Sequence, residues 1–420
     1  METGNSKETG CAKCGACVPV CPVFAAEGKE SLAARGRLHL LAAGCVSHPS
    51  DRLAELFACC LLCGACEQVC PRRLPITQLV AEARSHFPLL LGPACLQKTA
   101  ACAALARPVL LEMLVKAGLR LKHLLMLPKN SGLRLKLALA EERPPVLPLP
   151  ENLPQADGRL AYFVGCFARH VQPSIAAATE RLLRRCGLTA LLPAEQCCCG
   201  LAAWSSGKLE LARELAQRNI TAFTGDGPVL ASCASCSSHL RSYPRLFAED
   251  DPWHKRARAF AARVQEFCSF FKELLPPASN FNGLRLFYHD PCHLRFEPNG
   301  LTAPRILLKQ CGFNIIQPEN GPACCGQGGL FHIACPETSA KIFSRCSRQA
   351  LAGQPACITS TCSGCLMQYQ LGLAQQNMKI RVAHLAVLLE EAIGGGAACE
   401  PPMEQSATHK KYSKVCATFF

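Results

Sequence analysis

Apolar residues recur along this chain with two different periods. Near the N-terminus, SLAARGRLHLLAA (31–43) and DRLAELFACCLL (51–62) place Ala and Leu at i, i+3 and i+4, a spacing that predicts helices. From Arg159 onward the pattern changes. Short apolar runs, RLAYFVG (159–165), LTALLP (188–193) and GPVLAS (227–232), alternate with the helical segments PSIAAATERLLRRCG and GKLELARELAQRN. The same order then returns as LRLFYHDP (284–291), APRILLKQCG, FNIIQP (313–318), SAKIFSRCSRQAL and ACITST (356–361). Strands alternating with helices of this length predict parallel βαβ units, and the repetition predicts two of them in tandem.

The segment between these regions is less regular. PVLLEMLVKAGLRLKHLLML (108–127) is apolar on one helical face and carries Lys116, Arg120, Lys122 and His123 on the other. It reads either as a helix packed on its own domain or as a basic amphipathic surface for a membrane or a partner subunit. The proline-rich ERPPVLPLPENLPQ that follows predicts a semi-rigid boundary. The expected organisation is therefore α/β plus α. A helical N-terminal module (1–80) precedes a helical connector and Pro-rich linker (81–157), two α/β halves (158–275 and 276–392) and a disordered tail (393–420).

Composition changes this picture mainly through its 31 cysteines in 420 residues. The chain opens METGNSKETG, polar and partly acidic, with no apolar run ahead of a cleavage-like site, which argues against export. In a reducing cytoplasm clustered cysteines point to metal ligation rather than disulfides. The net charge of +14 could attract nucleic acid, anionic lipid or an acidic protein. The basic residues are dispersed, aromatic residues are few and no zinc-finger His spacing or RNP-like motif occurs, so nucleic acid is not an expected partner.

Cys11-Ala-Lys-Cys14-Gly-Ala-Cys17-Val-Pro-Val-Cys21-Pro22 recurs as Cys60-Leu-Leu-Cys63-Gly-Ala-Cys66-Glu-Gln-Val-Cys70-Pro71, each cysteine displaced by 49 positions. This is the C-x2-C-x2-C-x3-C-P run of bacterial ferredoxins, in which three close thiolates hold one cubane and the fourth cysteine serves the other. By that rule Cys11, Cys14, Cys17 and Cys70 hold one [4Fe–4S] cluster, and Cys60, Cys63, Cys66 and Cys21 the second. Cys59 lies outside the register and is expected to be spare. A pair of tetrahedral zinc sites is the rival, although zinc has no need of the fourth cysteine followed by proline.

Each α/β half carries a second cysteine order: Cys166, Cys198, Cys199, Cys233 and Cys236 in the first, Cys292, Cys324, Cys325, Cys362 and Cys365 in the second. These cysteines follow the predicted strands, and in parallel sheets ligands gather beyond the carboxyl ends of strands. A cluster suits five converging sulfurs better than a single ion, although zinc remains open. Cys166 to Cys198 and Cys292 to Cys324 both span 32 positions, so in QCCCG the ligand pair is Cys198 and Cys199, and Cys197 aligns with Ala323. Cys45, Cys95, Cys102, Cys186, Cys268, Cys311, Cys335, Cys346, Cys357, Cys399 and Cys416 share no ligand spacing and read as free thiols. His289, Asp290 and His293 flank Cys292 and suit either hydrogen bonding to a cluster's ligands or packing of the loop.

With the doubled CxxCxxCxxxCP, Gly165-Cys166, HDPCHL, CCGQGG and TCSGCLMQ in place, the chain resembles the iron–sulfur subunits of FAD-linked 2-hydroxyacid dehydrogenases, typified by the glycolate oxidase iron–sulfur subunit. Lactate-utilisation proteins, the glycerol-3-phosphate dehydrogenase iron–sulfur subunit and heterodisulfide reductase subunits are similar. The resemblance implies two [4Fe–4S] clusters on the eight N-terminal cysteines. It also implies an FAD-binding oxidase subunit that oxidises glycolate or D-lactate, and a quinone or other acceptor reached from the cytoplasm or the inner membrane face. The chain has no Rossmann fingerprint of its own, in keeping with a separate flavoprotein. Glycolate oxidase subunits often keep one cysteine of each terminal CxxC, whereas both are present here in both halves. In that respect the chain is more similar to heterodisulfide reductase, which implies thiol–disulfide reduction at the cysteine-rich sites as the alternative activity.

Overall fold

A computed structural model describes residues 10–88, 91–124, 139, 160–277, 283–319 and 321–394. The expected proline-rich boundary at 142–155, residues 395–420 of the expected disordered tail, and Cys399 and Cys416 lie outside these residues, while the first two residues of that tail, 393 and 394, close the helix Leu385–Gly394.

The N-terminal module is helical. Asp51–Ala58 buries Leu53, Ala54 and Phe57 on one face and is capped by Ser50, whose hydroxyl accepts from the Leu53 N–H at 3.3 Å. The helix stops at Ala58, short of the predicted Leu62, and Leu62 takes a left-handed φ of 53°. Residue 13, one repeat earlier, has φ 55°, and the following glycines Gly15 and Gly64 have φ 82° and 76°. The two cysteine motifs thus share a backbone as well as a spacing. Two successive left-handed turns lift the chain out of helical geometry, which frees each cysteine triad to face one point.

The α/β region contains seven short strands: β1 (Ala161–Phe163), β2 (Val229–Ala231), β3 (Val264–Glu266), β4 (Arg285–Tyr288), β5 (Asn314–Ile316), β6 (Cys357–Ser360) and β7 (Arg381–His384). The first sheet runs β1-β2-β3 and the second β5-β4-β6-β7, all parallel. The predicted strand at 188–193 reduces to a single bridge between Leu191 and Ala161. Its place beside β1 is that of β5 beside β4, so both halves have one topology, and the first has lost pairing along one edge. The strands β3 and β7 carry no apolar run in the sequence: VQE and RVAH each mix polar and apolar residues. Their neighbours in sequence, Pro252–Arg263 and Ser363–Gln375, are helices.

The halves meet around a common core. Helix Pro173–Arg185 of the first packs on helix Leu385–Gly394 of the second, and the counterpart pair, Phe267–Phe271 on Thr302–Gln310, completes an approximate two-fold arrangement. Tyr162 and Tyr288 occupy equivalent places on β1 and β4, and both are buried in this core. Their hydroxyls reach Ser232 Oγ at 2.9 Å and Thr361 Oγ1 at 3.3 Å, each at the carboxyl end of the next strand. Across the axis the Ala234 N–H donates to the Thr361 carbonyl at 2.9 Å. This bond crosses from one half to the other immediately beside Cys233 and Cys362, so the two cysteine-bearing ends face one another.

Candidate metal centres

Cys11, Cys14, Cys17 and Cys70 line one small cavity with Arg35, Leu38 and Ile76. The fourth cysteine of the second motif therefore joins the triad of the first. Burial raises the Cys17 pKa, and the neighbouring Cys11 and Cys14 push it further. Reciprocally, Cys66 is driven up by burial and then by Cys60, Cys63 and Cys21. Cys14 is exposed at the surface, whereas the second quartet is turned inward. A donor set of four facing sulfurs with a cationic demand at its centre fits an iron–sulfur cluster.

The cysteine-rich halves bring their sulfurs into a continuous row. In the first, Cys198 receives hydrogen bonds from the Cys166 and Cys199 thiols, which hold it well below its ordinary pKa. Cys236 bridges Cys199 and Cys233. Cys233 is held low by Cys236 and, across the two-fold axis, by Cys362. In the second half Cys365 lies between Cys362 and Cys325, with Cys325 Sγ 3.3 Å from Cys365 Sγ. Cys324 accepts from Cys292 and Cys325. The two five-cysteine sets thus join at Cys233 and Cys362, the N-capping residues of helices Ala234–Arg241 and Ser363–Gln375; Cys233 is the one held low, and its hydrogen bond raises Cys362. Burial raises Cys63, and the thiol of Cys324 is the next largest cause. Sulfur therefore runs from the inward N-terminal quartet to the second cysteine-rich site and on to the first.

The sequence has relatives in which this arrangement has a name. A protein of Bacillus subtilis described as "Probable glycolate oxidase iron-sulfur subunit" is 31% identical over 91% of this chain and 94% of its own length. The chain belongs to the family of glycolate oxidase iron–sulfur subunits. The "4Fe-4S dicluster domain" family model matches residues 8–74, and the "Cysteine-rich domain" model matches 160–241 and 286–370. "Lactate utilization protein A" of Exiguobacterium is 30% identical over 56% of this chain and 98% of its own length, and that of Bacillus cereus (strain AH187) is 28% identical over 55% and 98%. An oxidoreductase role and iron–sulfur clusters come with the family. Among the described residues no helix is long and apolar enough to cross a membrane.

Around the sulfurs, the glycolate oxidase-type site of each half has its own buried histidine. In the first, His239 is pushed down to about 3 by burial, and its Nε2 has no hydrogen-bond partner. That nitrogen lies 3.6 Å from where a Cβ on Gly200 would sit, directly behind Cys199. In the second, His289 is pushed down to about 4 by burial, and a ring nitrogen and the Cys325 and Cys365 sulfurs all lie within 4.8 Å of one another. Cys346 joins this group, its Sγ 3.7 Å from His289 Nδ1 and 3.1 Å from the Tyr369 hydroxyl. The sequence offered no signal for Cys346 or His239, because neither recurs in the other half. Asp290 proves to be a packing group, bidentate to Arg305 at 2.7 and 2.8 Å. His293 Nδ1 instead faces Ser235 Oγ at 3.1 Å, and that hydroxyl lies 3.0 Å from Cys362 Sγ.

Cys59 is not spare and Cys335 is not free: the two form a disulfide between segments 276 positions apart. Cys268, Cys311 and Cys357 pack in the core shared by the halves. Cys197 turns away from the sulfur row, with its Sγ 3.6 Å from both the Leu215 carbonyl and Asn219 Oδ1. Iron analysis of anaerobically reconstituted chain should find Cys197→Ala equal to the parent. Cys198→Ala and Cys199→Ala should each lose iron, and an equal loss in all three would contradict the assignment of the pair.

Proposed function

We propose that this chain is the electron-transfer subunit of a glycolate or D-lactate dehydrogenase complex. A partner subunit carrying FAD oxidises the 2-hydroxyacid, and this chain passes the electrons toward a quinone or other acceptor at the cytoplasmic face of the membrane. The reading assigns one [4Fe–4S] cluster to Cys11, Cys14, Cys17 and Cys70, a second to Cys60, Cys63, Cys66 and Cys21, and further clusters to the cysteine-rich halves. When bound, these clusters supply one-electron redox chemistry. The chain's own residues keep successive sites close together and dry. The observation that carries the reading is the adjacency of Cys63 and Cys324, which puts the inward N-terminal quartet against the second cysteine-rich site. The exposed Cys14 gives the other quartet a surface at which electrons can be exchanged with a partner.

Rapid mixing of the reconstituted chain with its flavoprotein partner tests this reading. Cluster bleaching should follow addition of glycolate or D-lactate, and the faster of the two identifies the substrate. No bleaching with either acid would sink the proposal. A thiol–disulfide reductase is the second reading, favoured by the contact of Cys233 with Cys362 and by the Ser235 and His293 side chains beside them. Turnover of a mixed disulfide by the chain without any flavoprotein would select it.

A further inference from the structure

The disulfide between Cys59 and Cys335 is used by neither reading. Cys59 directly precedes Cys60 of the second quartet, and Cys335 caps helix Pro336–Ala352, which packs against the N-terminal module. The bond therefore ties the loop bearing Cys60 and Cys63 to the half bearing Cys324. Leu61, Phe331 and Ile342 surround it, and both cysteines are at most 8% exposed.

Next to this bond lies a cavity of about 630 Å³ where the N-terminal module, the connector helix and both cysteine-rich halves meet. Ala58 and Ala334, the residues immediately before the two cysteines, form part of its wall. The cavity is cationic. Lys98 and Lys208 line it with Arg84, and among the described residues neither lysine has an ion-pair partner. Lys98 is lowered by burial and then by Arg84 and Lys208, as expected of cations that share one space. The first turn of the 14-residue helix Leu209–Ala222 adds its N–H groups. The acid at the rim, Glu210, is paired with Arg213 and points to solvent.

We propose that Cys59–Cys335 is a thiol–disulfide exchange site served by a low-molecular-weight anionic thiol that enters through this cavity. The incoming thiolate attacks one Sγ, forms a mixed disulfide and releases the other cysteine as thiolate. A second thiolate then resolves the mixed disulfide. The net change consumes two RSH and the protein disulfide, and gives RSSR and two cysteine thiols that hold the two protons. On the function proposed above, the disulfide locks the module that receives electrons onto the site it feeds, and in the dithiol state packing and the contacts of Glu27 with Thr338 and Lys341 hold it there without a covalent bond.

Peptide mapping of the full chain with its clusters, quenched with a thiol-alkylating reagent, tests the proposal. After treatment with glutathione disulfide, one crosslinked peptide pair should contain Cys59 and Cys335, and reduced glutathione should open it. Cysteamine, a cationic thiol, should open it more slowly than glutathione once each is corrected for its thiolate fraction. Lys98→Gln should narrow that ratio by about tenfold at low salt, because the attraction for the anion is electrostatic. The site is overturned if no such pair forms. A pair that resists both thiols in the folded chain would make the bond a structural staple, and a glutathione-to-cysteamine ratio unchanged by Lys98→Gln would remove the anionic partner.

Discussion

Replacing Cys70 with alanine is expected to abolish the cluster of the first motif, although Cys70 belongs to the second. The cavity that holds Cys11, Cys14 and Cys17 is completed by Cys70, and Pro71 and Arg72 form its edge. Cys21→Ala should remove the inward cluster by the same exchange, since Cys21 is among the thiols that raise Cys63 and Cys66. Each variant should lose about four iron atoms per chain, one cubane's worth. Electron paramagnetic resonance should show which cluster is gone. The exposed site should vanish in Cys70→Ala together with its sensitivity to surface oxidants, and the site coupled to the cysteine-rich half in Cys21→Ala. The opposite pairing of variant and lost signal would mean that each motif holds its own cluster.

Why that crossing could be proposed from the sequence, and other features could not, follows from the kind of information each requires. The two CxxCxxCxxxCP runs encode their geometry locally. Their spacing fixes the triad and their glycines fix the turn, and the structure adds only the matching left-handed residues Lys13 and Leu62. Cys198 and Cys199 were separable from Cys197 because a second copy existed for alignment. The repeat is also why the α/β alternation was legible. By contrast, Cys59 and Cys335 are 276 positions apart and belong to no repeat, so their pairing depends on how the N-terminal module docks on the second half. The meeting of Cys233 with Cys362 depends likewise on the two-fold packing of the halves. The sequence reading treated their sites as separate because each half looked complete in itself. Leu191 shows the reverse failure, an apolar run with strand character that gains a single bridge because no further residues on that edge align with β1.

Arg84→Met is expected to be the most damaging substitution outside the cysteines. Arg84 comes from the last turn of helix Ile76–Ser85 and is pushed down to about 10 by burial, so it is still a cation at neutral pH. Its guanidinium donates to the carbonyls of Phe57 at 2.8 Å, Ala58 at 3.1 Å and Cys60 at 2.6 Å, and on its other side to that of Ser205. One side chain thus holds the loop that carries Cys60 and fastens it to the first cysteine-rich half. The approach is close enough that a Cβ on Gly207 would lie 2.5 Å from the Arg84 carbonyl carbon. Methionine fills a similar volume but leaves the carbonyls of Phe57, Ala58, Cys60 and Ser205 without their shared donor at a half-buried junction. The cost should be about 2–3 kcal/mol, the range for hydrogen bonds that lose a charged donor. Thermal unfolding of the reconstituted chain should record it as a drop of roughly 10 °C in Tm. Arg84→Lys should recover only part of the loss, because an ammonium cannot span carbonyls on both sides of the junction. A methionine variant within about 1 kcal/mol of the parent would show that packing alone holds the two parts together.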